Sequence, residues 1–184
     1  MKPATFLEIM SMQRHDFLNH LQVISGLVQL NKNDRVKEYI KQISQEAEML
    51  SKVGHLAVPE VATVLLVGYF SAKKHQVEVL YDINTELGHC SMPGNIMAEV
   101  LEEVFNHSLE CLFPPAMFDR QLKVSITEME KKYLFKVSSP GPSPGTAETV
   151  RAGLTGVEKK MVSHGGEIGV AVSGGGAEIY VVFS

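Results

Sequence analysis

Along the first thirty residues, Phe6, Met10, Phe17, Leu21, Ile24 and Val28 recur at spacings of three, four and seven. That spacing gathers them on one face of a helix over residues 4 to 30. "NKND" (31–34) reads as a turn, with Asp34 as the N-cap of a second helix. That helix covers 35 to 53, with its own stripe of Val36, Ile40, Ile43, Ala47 and Leu50. So short a connection makes the two helices antiparallel neighbours. A two-helix hairpin buries little surface by itself. The near-heptad spacing favours dimerisation into a four-helix bundle; the alternative is that the stripe packs on the rest of the same chain.

"GHLAVPE" (54–60) reads as a linker, with Gly54 stopping one helix and Pro59 near the start of the next. The expected division is a helical hairpin at 1–56 and an α/β unit at 57–184. In the second unit, helices are expected at 60–74, 93–112 and 154–164, the last stopped by Gly165. "VEVLYDI" (77–83) alternates like a strand. "LKVSITEM" and "YLFKVSS" form two strands about a tight "EKK" turn. "EIGVAVS", "GGG" and "AEIYVVF" make a terminal hairpin. Strand pairs set apart from helices define an α+β class, with helices on one face of a mostly antiparallel sheet.

The first helix also carries a polar cluster, His15, Asp16, Asn19 and Gln22, where its apolar stripe is strongest. At about 100° per residue, His15 lies roughly 165° from the Phe17–Leu21–Ile24–Val28 direction. It points to solvent. Asn19 at i+4 and Gln22 at i+7 share its face. Asp16 faces it less directly, and His20 falls toward the apolar side. An exposed imidazole on a rigid helix is a usable nucleophile, because near neutral pH a ring nitrogen lone pair is free. Amide side chains beside it can position a phosphoryl group or a water, and phosphoryl transfer asks mostly for positioning. The plain alternative is solvated helix surface.

Composition narrows the classes. The chain has 184 residues, 45% hydrophobic and 21% charged, which is a globular composition. A net charge of −4 gives no footing for general nucleic-acid binding. Cys90 and Cys111 have no ligand spacing and read as buried thiols of a reduced, cytoplasmic protein. "MKPATFLEIM" has no apolar core of a signal peptide, and "VATVLLVGYF" (61–70) is about half a membrane span, so no membrane association is expected.

Arg14-His15-Asp16, Asn19, His20-Leu21-Gln22 and "ISGLVQL" resemble the histidine box of sporulation-type histidine phosphotransferases and sensor kinases, citrate-type kinases included. The layout of helical hairpin then α/β unit is similar to that family as well. The resemblance implies that His15 is phosphorylated, Asp16 is its acidic neighbour and Asn19 the polar residue one turn on. It places Arg14, with Gln22, at a docking surface for response-regulator receiver domains, and it implies a homodimer.

By the same resemblance the second unit is a degenerate ATPase-like sandwich of the histidine-kinase kind. "EEVFNHSLECL" (102–112) is similar to the helix that carries the family's metal-site asparagine, and "GLTGVEKKMVSHGGEI" (153–168) to its last helix and strand. The departures are specific. His107 stands at the asparagine position, with Asn106 one residue off, while Glu103 keeps the acidic position one turn earlier. Ser139 in "VSSPGPSPG" stands where an aspartate reads adenine, and a serine supplies no charged acceptor. "TVRAGLTG" keeps Gly153 and Gly156 without the full glycine run. The expectation is no ATP binding, no cofactor or metal in this chain, and Mg2+ supplied by the partner regulator's acidic pocket. A soluble kinase with a divergent ATP site and a non-catalytic regulator-binding scaffold stand as alternatives.

Overall fold

The computed structural model describes residues 3–112, 120–130, 132–140, 147–173 and 176–183. The chain divides into two compact units, Met1–Ser51 and Lys52–Ser184, which part inside a helix. The first unit holds α1 (Pro3–Gln29) and most of α2 (Asn33–Gly54). Between them Asn31 takes a left-handed φ of 55°. Lys32 N–H reaches the Leu27 carbonyl at 2.9 Å and Asn31 N–H the Val28 carbonyl at 2.9 Å. This pair of bonds satisfies the last carbonyls of α1 and reverses the chain. The Val36 N–H bonds to the Lys32 carbonyl at 3.1 Å. The capping position of α2 therefore falls at Lys32, and Asp34 sits inside the first turn, where its charge opposes the helix dipole's positive end. His20 and Tyr39 join the two helices, with Nδ1 and the phenol oxygen 2.9 Å apart.

The second unit follows as α3 (Pro59–Lys74), β1 (Glu78–Ile83), α4 (Gly94–Leu112), β2 (Gln121–Met129), β3 (Lys132–Pro140), α5 (Ala147–Ala152), α6 (Thr155–Ser163), β4 (Glu167–Ser173) and β5 (Gly176–Phe183). The sheet order is β1-β2-β3-β5-β4, parallel only between β1 and β2. This is the expected α+β architecture, with α5 as an added turn of helix. One register row runs Tyr81, Val124, Val137, Ile179 and Val170 across all five strands. Its neighbours Leu122, Phe135 and Val181 are fully buried on the same face. Leu65 of α3, with Met97, Leu101 and Phe105 of α4, closes the core from the other side. The last turn of α2 already belongs here, with Val53 at 0% exposure.

Two further helices end as α1 does. Gln76, with φ 57°, and Gly165, with φ 75°, take the left-handed position after α3 and α6. Val77 N–H then bonds to Ala72 and Gly166 N–H to Met161. The "EKK" and "GGG" turns lie partly outside the described residues, and "GPSPG" (141–145) lies wholly outside them. The side chains of Phe6 and Cys111 are likewise not described.

Candidate functional site

α1 presents three sides. The half-buried Asp16, His20 and Leu27 lie on the side that His20 turns toward Tyr39 of α2. Met10, Phe17, Leu21 and Val28 form a second apolar stripe roughly 100° round the helix. They are left 47% to 60% exposed. His15 projects from the third side, clear of both, with its side chain 75% exposed.

Two neighbours address one nitrogen of that ring. Asn19 Nδ2 lies 3.1 Å from His15 Nδ1, a contact that helical spacing at i+4 makes natural. Asp16 Oδ1 lies 4.0 Å from the same Nδ1, although its backbone position points partly away. An amide offers a donor or an acceptor by a half-turn, whereas a carboxylate only accepts. As placed, Asn19 Nδ2 donates to Nδ1, which puts the ring proton on Nε2. With the amide half-turned, its oxygen accepts from Nδ1–H, the tautomer that Asp16 favours, and Nε2 keeps its lone pair. Arg14 and Gln22 are both exposed along the same stretch of α1. Of the residues singled out in the sequence, Asn19 and Asp16 are thus the two brought to the His15 ring. Among the described residues, no group of three His, Cys, Asp or Glu side chains is placed to hold a metal ion.

In the second unit, the described side chains at the positions that the resemblance sets beside a metal-nucleotide site are bonded within the chain. His107 Nε2 donates to the Val150 carbonyl at 2.7 Å. Its ring lies flush on Gly153, where a Cβ would meet Cε1 at 2.1 Å. Glu103 accepts a hydrogen bond from Lys160 Nζ at 2.6 Å, and Lys160 also pairs with Glu99 at 3.0 Å. Those carboxylates, Glu103 first, hold the Lys160 ammonium above its ordinary pKa. Ser139 is buried on the inner face of β3, opposite Ala177. His107 thus faces a carbonyl, and Glu103 is ion-paired with Lys160. Sequence reasoning reached Glu103 and His107 but missed Lys160, whose partner on α4 lies 57 residues away.

Comparison with known proteins finds likenesses to sensor kinases and phosphotransferases. Residues 1–56 match the family model for the sensor kinase SpoOB-type alpha-helical domain. Over 100 residues the chain is 30% identical to sporulation initiation phosphotransferase B of Bacillus subtilis, covering 54% of this chain and 51% of that protein. It is thus a SpoOB-type homologue over half its length. It is also 22% identical over 144 residues to the sensor protein CitS of Halalkalibacterium halodurans, covering 74% of this chain and 26% of CitS. The chain therefore spans about half, or less, of the length of these relatives.

Among solved structures, the Acinetobacter baumannii histidine kinase AdeS aligns with 92% of this chain and 97% of its own, at TM-score 0.53 and 14% identity. The catalytic domain of histidine kinase ThkA aligns with 68% of this chain and 89% of its own, at TM-score 0.53 and 16% identity. ThkA in complex with the response regulator protein TrrA covers 96% of this chain and 60% of that one, at TM-score 0.55 and 14% identity. At these identities the likeness is one of fold: the five-stranded unit has the architecture of a histidine-kinase catalytic domain.

Proposed function

We propose that this chain is an ATP-independent histidine phosphotransferase of a phosphorelay. It takes a phosphoryl group from the aspartyl-phosphate of one response-regulator receiver domain and passes it to an aspartate on a second. The observation that carries this reading is the exposed His15 ring, addressed at Nδ1 by Asn19 and Asp16 and open at Nε2.

The chemistry follows from that arrangement. The Nε2 lone pair attacks phosphorus in line with the acyl-phosphate oxygen. The N–P bond forms as the P–O bond breaks, and the bonding pair leaves with the regulator's carboxylate. The proton stays on Nδ1, where Asp16 offsets the positive charge the ring gains. Transfer to the second aspartate is the same step reversed. An acyl phosphate is already activated, so the chain's residues need only position the groups. The Mg2+ that screens the phosphoryl oxygens belongs to the regulator's own acidic pocket.

The open stripe of Met10, Phe17, Leu21 and Val28 is covered by a second copy, which makes a four-helix bundle with a His15 on each side. Arg14 and Gln22 border the surface on which a receiver docks. ThkA in complex with TrrA is a precedent for a regulator bound to this kind of fold. The protein works in the cytoplasm, where receiver domains are found; no described helix is long and apolar enough to cross a membrane. A kinase reading draws support from the fold of the second unit, but Glu103 and His107 are engaged elsewhere.

The test is a transfer assay with a phosphorylated receiver domain and Mg2+, without ATP. Acid-labile, base-stable phosphate mapped to His15, and lost in His15→Ala, is the expected result. Label arriving from γ-labelled ATP instead would make the chain a kinase. A stable regulator complex without label from either source would make it a scaffold.

A further inference from the structure

Six residues of α5 are too few for a helix that persists by itself. Yet this turn is set firmly into the second unit. Val150 and Leu154, one helical turn apart, are each 2% exposed. The Leu154 N–H bonds to the Arg151 carbonyl at 2.9 Å and its own carbonyl accepts from Glu158 at 2.9 Å, so a two-residue turn at Gly153 and Leu154 joins α5 directly to α6. His107 Nε2 donates to the Val150 carbonyl at 2.7 Å, with the ring seated on Gly153. A carbonyl only accepts, so Nε2 carries the proton. Further along, Lys160 holds Glu99 and Glu103. Both ties end on α4. The residue that departs from the kinase pattern at the metal position is thus the one that fastens the segment.

We propose that residues 147–156 form a fixed strap, fastened to α4 by His107, which holds the second unit closed without any ligand. The inference rests on the geometry of α4, α5 and α6 and is independent of the transfer reaction at His15. A segment that waits for nucleotide is loose alone and tightens when nucleotide binds. A strap is tight from the start and indifferent to nucleotide.

Hydrogen exchange read by mass spectrometry on the full chain separates the two. The expected result is slow exchange over 147–156 in the wild type, unchanged by millimolar Mg-ATP. His107→Ala removes the fastener, and Gly153→Ala drives a Cβ into the ring from the other side. Each should speed exchange of this segment roughly ten-fold, the effect of losing one partly buried hydrogen bond, while β2, β3 and β5 keep their protection. Free exchange of 147–156 in the wild type would overturn the strap. So would slowing on addition of Mg-ATP, exchange in both variants indistinguishable from wild type, or loss of sheet protection in both. None of these outcomes bears on whether His15 accepts phosphate.

Discussion

Asn19 Nδ2 stands 3.1 Å from Nδ1 of His15, one turn along the same exposed face of α1. The contact fixes the ring's rotation about the helix surface and leaves the far nitrogen open. Replacing the amide with a side chain of similar size and no polar atom tests its part in transfer. Asn19→Leu should keep α1 helical and slow phosphoryl transfer to His15 by roughly ten- to a hundred-fold, the scale of a misoriented nucleophile. Rapid-quench transfer from a phosphorylated receiver reads it. A wild-type rate in this variant would remove Asn19 from the site.

Phe17 and Leu21 present a different problem, because their apolar surface is left open. Fully burying such a side chain is worth about 1.5–3 kcal/mol, and roughly half of that is still to be gained here. In the proposed dimer, Met10, Phe17, Leu21 and Val28 are the seam. Leu21→Glu places a charge in it that a second copy would have to desolvate without a partner. Sedimentation should show a dimer for the wild type and a monomer of unchanged helicity for the variant. A dimer that survives the substitution would assign the seam elsewhere.

Most of the elements were legible because their periods differ: three and four along α1 to α4, two along the strands. The site was legible for a related reason, since i and i+4 on a helix must meet, and His15 with Asn19 needs nothing beyond that. What escaped was tertiary or left-handed. α5 is too short to show a period. Asn31 and Gln76 reverse the chain at positive φ, though neither is glycine. The stopping role of Gly165 could be read, because glycine is the usual residue there. His107 was noticed for what it replaced and not for what it does, because Val150 is 43 residues away. Asp16 Oδ1 comes within 4.0 Å of His15 Nδ1, nearer than its helical angle indicates.

Gly68 of α3 faces the Phe105 ring of α4, where a Cβ would stand 2.9 Å from Cε1 and 3.0 Å from Cζ. Two terms oppose each other in Gly68→Ala. Alanine gains about 1 kcal/mol of helix propensity. Overpacking a closed core costs about 1–3 kcal/mol, and Phe105 is 1% exposed with little room to turn. The second term wins, so the variant should unfold at lower urea. Phe105→Leu in the same chain should return part of the loss, a coupling that a double-mutant cycle measures. If Gly68→Ala proves more stable than wild type, the α3–α4 contact is looser than these distances imply.

Tyr81 of β1 donates its phenol to the Leu65 carbonyl of α3 at 2.6 Å. Burial, and then the nearby Tyr69, push its pKa well above the ordinary tyrosine value. The unfolded phenol ionises near pH 10, so above that pH the unfolded chain releases a proton that the folded chain keeps. The raised folded pKa therefore contributes stability below about pH 10 and loses it as pH climbs toward the folded value. The slope from this one group approaches about 1.4 kcal/mol per pH unit. Tyr81→Phe should cost about 0.5–1.5 kcal/mol at neutral pH through the lost hydrogen bond. It should also flatten the alkaline limb, so that the two proteins converge in stability as pH rises. Urea melts at a series of alkaline pH values read both effects together. Parallel curves for wild type and Tyr81→Phe would mean that the phenol ionises in the folded protein as readily as in water.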